Sequence, residues 1–121
     1  MTDSRNALVV DDNPTNRLVA STLLRKFGWT VSEADSGEAA LAKAGAEAFR
    51  LVLLDISMPG LSGEATCARL RQLRSDAPPH SLAYAAHAFQ EDIDRLLAAG
   101  FDAILVKPIN RQRLEELVAG L

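Results

Sequence analysis

Residues 51–55 of the chain read LVLLD, a short apolar run that ends in a carboxylate. The apolar runs at residues 7–10 (ALVV) and 103–106 (AILV) are likewise followed directly by charged residues. Short apolar runs of this kind, partly β-branched, are typical of strands that are buried on both faces of a parallel sheet. Because ligand sites in such sheets lie at the carboxyl ends of the strands, we expect the charged residues to meet at one edge.

The charges at these three strand ends are three carboxylates and one ammonium group. Asp11 and Asp12 follow the first run, Asp55 ends the second, and Lys107 follows the third. Three carboxylates brought together repel one another, and a single lysine cannot balance them. Carboxylate oxygens are the ligands that hard divalent cations prefer. The sequence therefore predicts a divalent metal site at this edge of the sheet.

The composition is that of one globular domain. The 121 residues are 48% hydrophobic and 24% charged, and no apolar run approaches the roughly 20 residues that a membrane span needs. The net charge of −3 argues against direct binding to nucleic acid or to an anionic membrane. The start of the chain lacks the pattern of a signal peptide, and the single cysteine offers neither a disulfide framework nor a zinc site. We expect a cytoplasmic protein.

Strand and helix signals alternate along the chain. The predicted strands are 7–10, 30–34, 51–54, 81–85 and 103–106. The predicted helices are 14–27, one that begins after Ser36 and stops near residue 45 or 46, then 64–73, 90–99 and 111–119. Five successive βα units predict an α/β, doubly wound (βα)5 three-layer sandwich around a parallel sheet. We expect residues 1–121 to form this single domain.

Several motifs together resemble the receiver domain of two-component response regulators. They are Asp11-Asp12, the segment DISMPG at residues 55–60 with Gly63 after it, and Lys107-Pro108. The resemblance spans the whole chain, in the order and at the spacing of the family. Each motif alone is weak, but each lies at the end of a predicted strand, which makes the combination specific. The resemblance implies the flavodoxin-like fold, with parallel sheet order 2-1-3-4-5, and a proline that often follows a cis peptide bond.

The resemblance also implies a role for each residue of the site. Asp55 matches the phosphoacceptor, which takes a phosphoryl group from the phosphohistidine of a histidine kinase or of a histidine phosphotransfer protein. Lys107 matches the residue that pairs with this carboxylate and then binds a phosphoryl oxygen. Mg²⁺ is the implied cofactor, with Asp55, Asp12, the backbone carbonyl of Ser57 and, through water, Asp11 as ligands. Capping of the following helix is the alternative role for Asp11 and Asp12, and it is compatible with metal binding.

Two positions depart from the pattern of the family. Receivers typically carry Ser or Thr at the end of strand four and an aromatic residue three positions before the lysine, and this chain has Ala85 and Ile104 there. We expect phosphoryl acceptance to persist with weaker or different coupling to the surface, since a hydrogen bond to a charged oxygen contributes about 1.5–3 kcal/mol. One hypothesis makes His87 a modulator that fills part of the space of the missing hydroxyl; the alternative is an exposed loop histidine. Tyr84 should point away from Ala85, because side chains alternate along a strand.

We expect a phosphoryl-accepting signalling module rather than an enzyme. Three other functions are the alternatives. A constitutive interaction module, which signals without phosphate, is favoured by the two departures and opposed by the retained charges. An aspartate-based phosphohydrolase needs a second carboxylate where this chain has Ser57, and a dinucleotide enzyme needs a glycine-rich turn after strand one. The sequence does not identify the downstream partner protein. It also leaves open whether the chain forms homodimers through helix four, strand five and helix five. Whether the domain stands alone is open too, because residues 86–88 and 98–102 resemble receivers of hybrid histidine kinases.

Overall fold

The computed structural model describes residues 5–74 and 76–121, in which strands and helices alternate as predicted. The strands are β1 (Asn6–Val10), β2 (Thr30–Ala34), β3 (Leu51–Asp55), β4 (His80–Ala85) and β5 (Ala103–Val106). The helices are α1 (Pro14–Lys26), α2 (Gly37–Ala46), α3 (Gly63–Leu73), α4 (Gln90–Ala99) and α5 (Arg111–Val118). Each boundary lies within one residue of its predicted position.

The five strands form one parallel sheet with the order β2-β1-β3-β4-β5. This confirms the predicted doubly wound α/β fold and the sheet order that the resemblance implied. The chain builds the sheet outward in opposite directions from β1 and β3, so the crevice at the carboxyl ends of these two strands is the topological switch point. Asp11 and Asp55 lie at this crevice.

Helices cover the sheet on both faces, and the alternation of side chains along β3 shows how. Val52 and Leu54 pack in one apolar cluster with residues of α2, α3 and α4. Leu51 and Leu53 pack in a second cluster with residues of α1 and α5. All four side chains are buried. A strand that is apolar along this whole stretch is therefore explained by burial on both faces, as expected for the central strand of a parallel sheet.

Side-chain caps fix where the helices start, and the first of them shapes the loop beside Asp11. The side-chain oxygen of Asn13 accepts hydrogen bonds from the backbone N–H groups of Thr15 and Asn16, at 2.9 and 3.1 Å, and Pro14 occupies the first helical position. Ser36, Ser62 and Asn110 cap α2, α3 and α5 in the same way. Within residues 5–74 and 76–121, no helix is long and apolar enough to cross a membrane.

Candidate functional site

Three carboxylates meet at the carboxyl ends of β1 and β3. One carboxylate oxygen from each of Asp11, Asp12 and Asp55 lies within 4.8 Å of the others. Asp11 and Asp55 are buried, with 2% and 3% of their surface exposed, whereas Asp12 is exposed. The predicted acidic cluster is therefore present, with two acids at its base and one at its rim.

Lys107 reaches this cluster from the end of β5. Its Nζ atom lies 3.1 Å from Oδ1 of Asp55, and one quarter of the lysine side chain is exposed. Oδ1 of Asp55 also accepts the backbone N–H of Ser57 at 3.0 Å. The peptide bond between Lys107 and Pro108 is cis, as the resemblance implied. The structure thus brings together all four charged residues that the sequence singled out.

Within the cluster, the carboxyl group of Asp11 holds its proton more tightly than an exposed carboxyl group does. Burial is the main cause that raises the pKa of Asp11 from 3.8 to about 6, and the charge of Asp55 adds to this effect. The backbone N–H of Asn13, 2.9 Å from Oδ1 of Asp11, acts in the opposite direction, as does the charge of Lys107. Because burial and like charge disfavour the carboxylate form, a cation at this position would be bound in place of a proton.

The loop after β3 places Ser57 next to the acids. Ser57 is exposed and follows Asp55 by two residues, and its backbone N–H group is directed to the Asp55 carboxylate. The role predicted for its carbonyl oxygen as a metal ligand stays a prediction. Gly63 lets α3 start against this loop, because a Cβ atom there would lie 2.6 Å from the Cα atom of Ile56.

The positions that depart from the family pattern lie on the other side of the sheet from α1 and α5. Ala85 is buried at the end of β4. Ile104 is half-buried and packs against the apolar cluster under α2, α3 and α4. His87 is exposed, and its ring stacks on that of Phe89 with centroids 5.4 Å apart. This position favours an exposed loop histidine over one that fills the space beside Ala85, and a modulating role for His87 stays a prediction.

Tyr84 also lies beside the site, although the sequence favoured no more than a packing role for it. Tyr84 is 5% exposed and belongs to the apolar cluster under α1 and α5. Ala83, the preceding residue of β4, belongs to the cluster on the other face, so side chains alternate along β4 as predicted. The Nζ atom of Lys107 lies 5.1 Å from the centroid of the Tyr84 ring. Burial raises the pKa of the Tyr84 phenol, and a hydrogen bond with the backbone of Ile109 opposes this shift. The sheet order was the signal that could have revealed the contact, because β4 lies between β3 and β5.

Five parallel strands in this order, with an acidic cluster at the switch point and a lysine after β5, define a receiver-type α/β domain. The family model for the response regulator receiver domain matches residues 7–119, and the chain belongs to this family. The sensor histidine kinase GacS of Pseudomonas protegens is 40% identical to the chain over 114 residues. The match covers 92% of this chain and 12% of GacS, so the chain spans about an eighth of that relative's length.

Solved structures of receiver domains superpose closely on the chain. The receiver domain of the sensor histidine kinase PA1611 from Pseudomonas aeruginosa, with a magnesium ion coordinated in its active-site cleft, matches with a TM-score of 0.84 and 29% identity. That match covers 94% of this chain and 93% of the other. The receiver domain of Ssk1 from Saccharomyces cerevisiae, co-crystallised with the histidine phosphotransfer protein Ypd1, gives 0.86 and 26%, over 93% and 85% of the two chains. The fold and the class of signalling domain are thereby shown.

Proposed function

We propose that the chain accepts a phosphoryl group on Asp55 and passes the signal on through a changed protein-interaction surface. The observation that carries this proposal is the 3.1 Å contact from Lys107 to Asp55, made beside the carboxylates of Asp11 and Asp12. It combines a nucleophile, a cation for the incoming charge and a set of oxygen donors at one strand edge. Membership of the receiver family supports the same function.

In the proposed transfer, a carboxylate oxygen of Asp55 attacks the phosphorus atom of a phosphohistidine on a partner protein. The new P–O bond forms as the P–N bond breaks, and the electron pair of that bond returns to the imidazole nitrogen of the donor. Lys107 then donates its hydrogen bond to a phosphoryl oxygen instead of the carboxylate. A charged donor fixed in place before the reaction stabilises the charge that gathers on the phosphoryl oxygens.

We propose Mg²⁺ as the cofactor, with Asp11, Asp12, Asp55 and the Ser57 carbonyl as its ligands. The donor set fits this ion, because hard divalent cations prefer carboxylate and carbonyl oxygens. The raised pKa of Asp11 supports a cation there, since the buried carboxylate lacks sufficient positive charge around it. When bound, Mg²⁺ would supply the positive charge that allows a phosphoryl group to approach three carboxylates. The magnesium ion in the cleft of the PA1611 receiver is consistent with this assignment.

We infer that the phosphodonor is a histidine kinase or a histidine phosphotransfer protein. GacS is a sensor histidine kinase, and the Ssk1 receiver was crystallised together with a histidine phosphotransfer protein. The only chemistry of the chain would be the gain and the loss of the phosphoryl group on its own Asp55. Its output would be contact with a downstream protein rather than with nucleic acid. We place this exchange in the cytoplasm, where the buried free Cys67 would stay reduced.

We further propose that switching differs from that of other receivers. A loaded site would find no hydroxyl at Ala85, and the half-buried side chain at Ile104 is aliphatic. The missing hydrogen bond to the phosphoryl group would weaken the link to the surface by about 1.5–3 kcal/mol. The same two residues favour the second candidate function, a constitutive interaction module that works without phosphate. The buried carboxylates of Asp11 and Asp55 argue against such a module, because buried like charges destabilise a protein and a pure interaction module has no need of them.

The test is the intact mass of the protein after incubation with phosphoramidate or acetyl phosphate in the presence of Mg²⁺. We expect one added phosphoryl group on the wild type, and none on Asp55→Asn or in the absence of the metal. Asp102→Asn is a matched control, because it removes an exposed carboxylate at the opposite end of the sheet. If the wild type gains no mass, with phosphohistidine donors included, the constitutive module becomes the better account.

A further inference from the structure

The sheet order forces Lys107 to reach across a strand. Asp55 ends β3 and Lys107 follows β5, and β4 lies between these two strands. Tyr84 is the residue of β4 in register with Asp55, and on its other side it is in register with Leu105. On its way to the phosphoacceptor the lysine side chain therefore crosses β4 beside Tyr84, and Ala86 lines the same surface.

The aromatic ring at this position faces the ammonium group. The Nζ atom of Lys107 lies 5.1 Å from the ring centroid of Tyr84, within the range of a cation–π contact. The ring is almost fully buried, and its backbone is fixed, because the carbonyl oxygen of Tyr84 accepts the N–H of Ile56 at 3.2 Å. A rigid, buried ring thus supports a side chain that is otherwise flexible and one quarter exposed.

We propose that Tyr84 is a positioning residue for Lys107, whose ammonium group its ring holds over β4 and directs at Asp55. The inference rests on the proposed function and extends it by one residue. In this chain the support matters more than usual, because Ala85 offers no hydroxyl to orient the phosphoryl group. Lys107 is left as the side chain that binds the phosphoryl oxygens from this end of the sheet.

The experiment compares Tyr84→Phe with Tyr84→Leu, in the wild type and in a Lys107→Met background. The rate at which phosphoramidate labels Asp55 is measured by intact mass with Mg²⁺ present. Leucine fills an apolar site without a π face, whereas phenylalanine keeps the ring. We expect Tyr84→Leu to slow labelling about 3- to 30-fold and Tyr84→Phe to stay within about twofold of the wild type. In the Lys107→Met background, both substitutions should leave the residual rate unchanged.

A spectroscopic readout separates positioning from a general effect on folding. The ring of Tyr84 should shift the NMR signals of the Lys107 ε-methylene protons upfield in the wild type and in Tyr84→Phe. In Tyr84→Leu these signals should return to the values of a free lysine, while the amide spectrum stays that of a folded protein.

Three results would overturn the inference: wild-type labelling by Tyr84→Leu, equal slowing by Leu and Phe, or equal slowing in the Lys107→Met background. A wild type that gains no phosphoryl group would instead refute the proposed function. In that case the ring-current shift of Lys107 still decides whether Tyr84 holds the ammonium group.

Discussion

The Nζ atom of Lys107 lies 3.1 Å from Oδ1 of Asp55, although the two residues are 52 positions apart in the chain. The pair joins the ends of two strands that are not neighbours in the sheet. It balances one of the three carboxylates and leaves the cluster with a net negative charge. The same lysine can therefore offset part of the repulsion among the carboxylates and still leave the cluster attractive to a divalent cation.

The first prediction concerns this pair. Lys107→Met removes the ammonium group and keeps much of the apolar stem, and we expect it to slow labelling of Asp55 about 100-fold, as the loss of a fixed donor to developing charge does elsewhere. Lys43→Met is the matched control, because that lysine lies on the exposed surface of α2 and should leave the rate unchanged. Intact-mass time courses measure both. A Lys107→Met variant that is labelled as fast as the control would remove the lysine from the mechanism.

The sequence predicted the elements and the residues of the site because a simple rule connects them. Apolar runs that end in charge, such as residues 51–55, mark the carboxyl ends of parallel strands, and these ends share one edge. The rule requires Asp11, Asp55 and Lys107 to lie near one another without any knowledge of distances. The order of the strands came from the resemblance to the family, and the sheet confirms it.

The finer features of the site depend on contacts that no pattern along the chain encodes. Burial is the main cause of the raised pKa of Asp11, and the sequence alone does not show how deeply a residue is buried. The contact between Tyr84 and Lys107 depends on the register of three strands, and the stacking of His87 on Phe89 depends on the conformation of one loop. Alternation predicted which face Tyr84 occupies, but not its neighbour there.

The second prediction is a dependence of stability on pH in the absence of metal. The pKa of Asp11 is raised from 3.8 to about 6, so the folded protein binds this proton more tightly than the unfolded chain. The resulting contribution to stability is fully present below pH 3.8 and is lost as the pH rises through about 6. We therefore expect Asp11→Asn to remove a fall in the melting temperature between about pH 4 and about pH 7 in EDTA.

Magnesium should reverse this trend, because it competes with the proton for the same carboxylate. Below about pH 6 the affinity of the protein for Mg²⁺ should fall by up to about tenfold per pH unit. Calorimetric titration at several pH values measures this affinity. Equal affinity on both sides of pH 6 would show that Asp11 does not take part in binding. The variant Asp35→Asn, an exposed acid after β2, should follow the wild type in both experiments.

The third prediction concerns the glycine at which α3 begins. A Cβ atom at Gly63 would lie 2.6 Å from the Cα atom of Ile56, so the loop after Asp55 must move to accept it. We expect Gly63→Ala to lower the free energy of unfolding by about 1–3 kcal/mol, measured by urea denaturation. Gly45→Ala is the matched control in a helix, because no atom outside the adjacent residues and the backbone of its own helix lies within 4 Å of the place that its new methyl group would take. That change should stabilise the protein by about 0.5–1 kcal/mol, and a similar gain from Gly63→Ala would disprove the close approach.

The last prediction restores the missing hydroxyl. Ala85 is buried at the end of β4, and serine adds a single oxygen atom there. If Asp55 is phosphorylated as proposed, the new hydroxyl can donate to a phosphoryl oxygen, and Ala85→Ser should label about 10-fold faster than the wild type, near the lower end of what such a bond contributes. Ala88→Ser adds the same group at an exposed position of the following loop and should have no effect. If Ala85→Ser is labelled faster and Ala88→Ser is not, the wild type lacks this hydrogen bond. Equal rates would mean that another group already occupies its place, and His87→Ala in the same assay would then identify or exclude the imidazole.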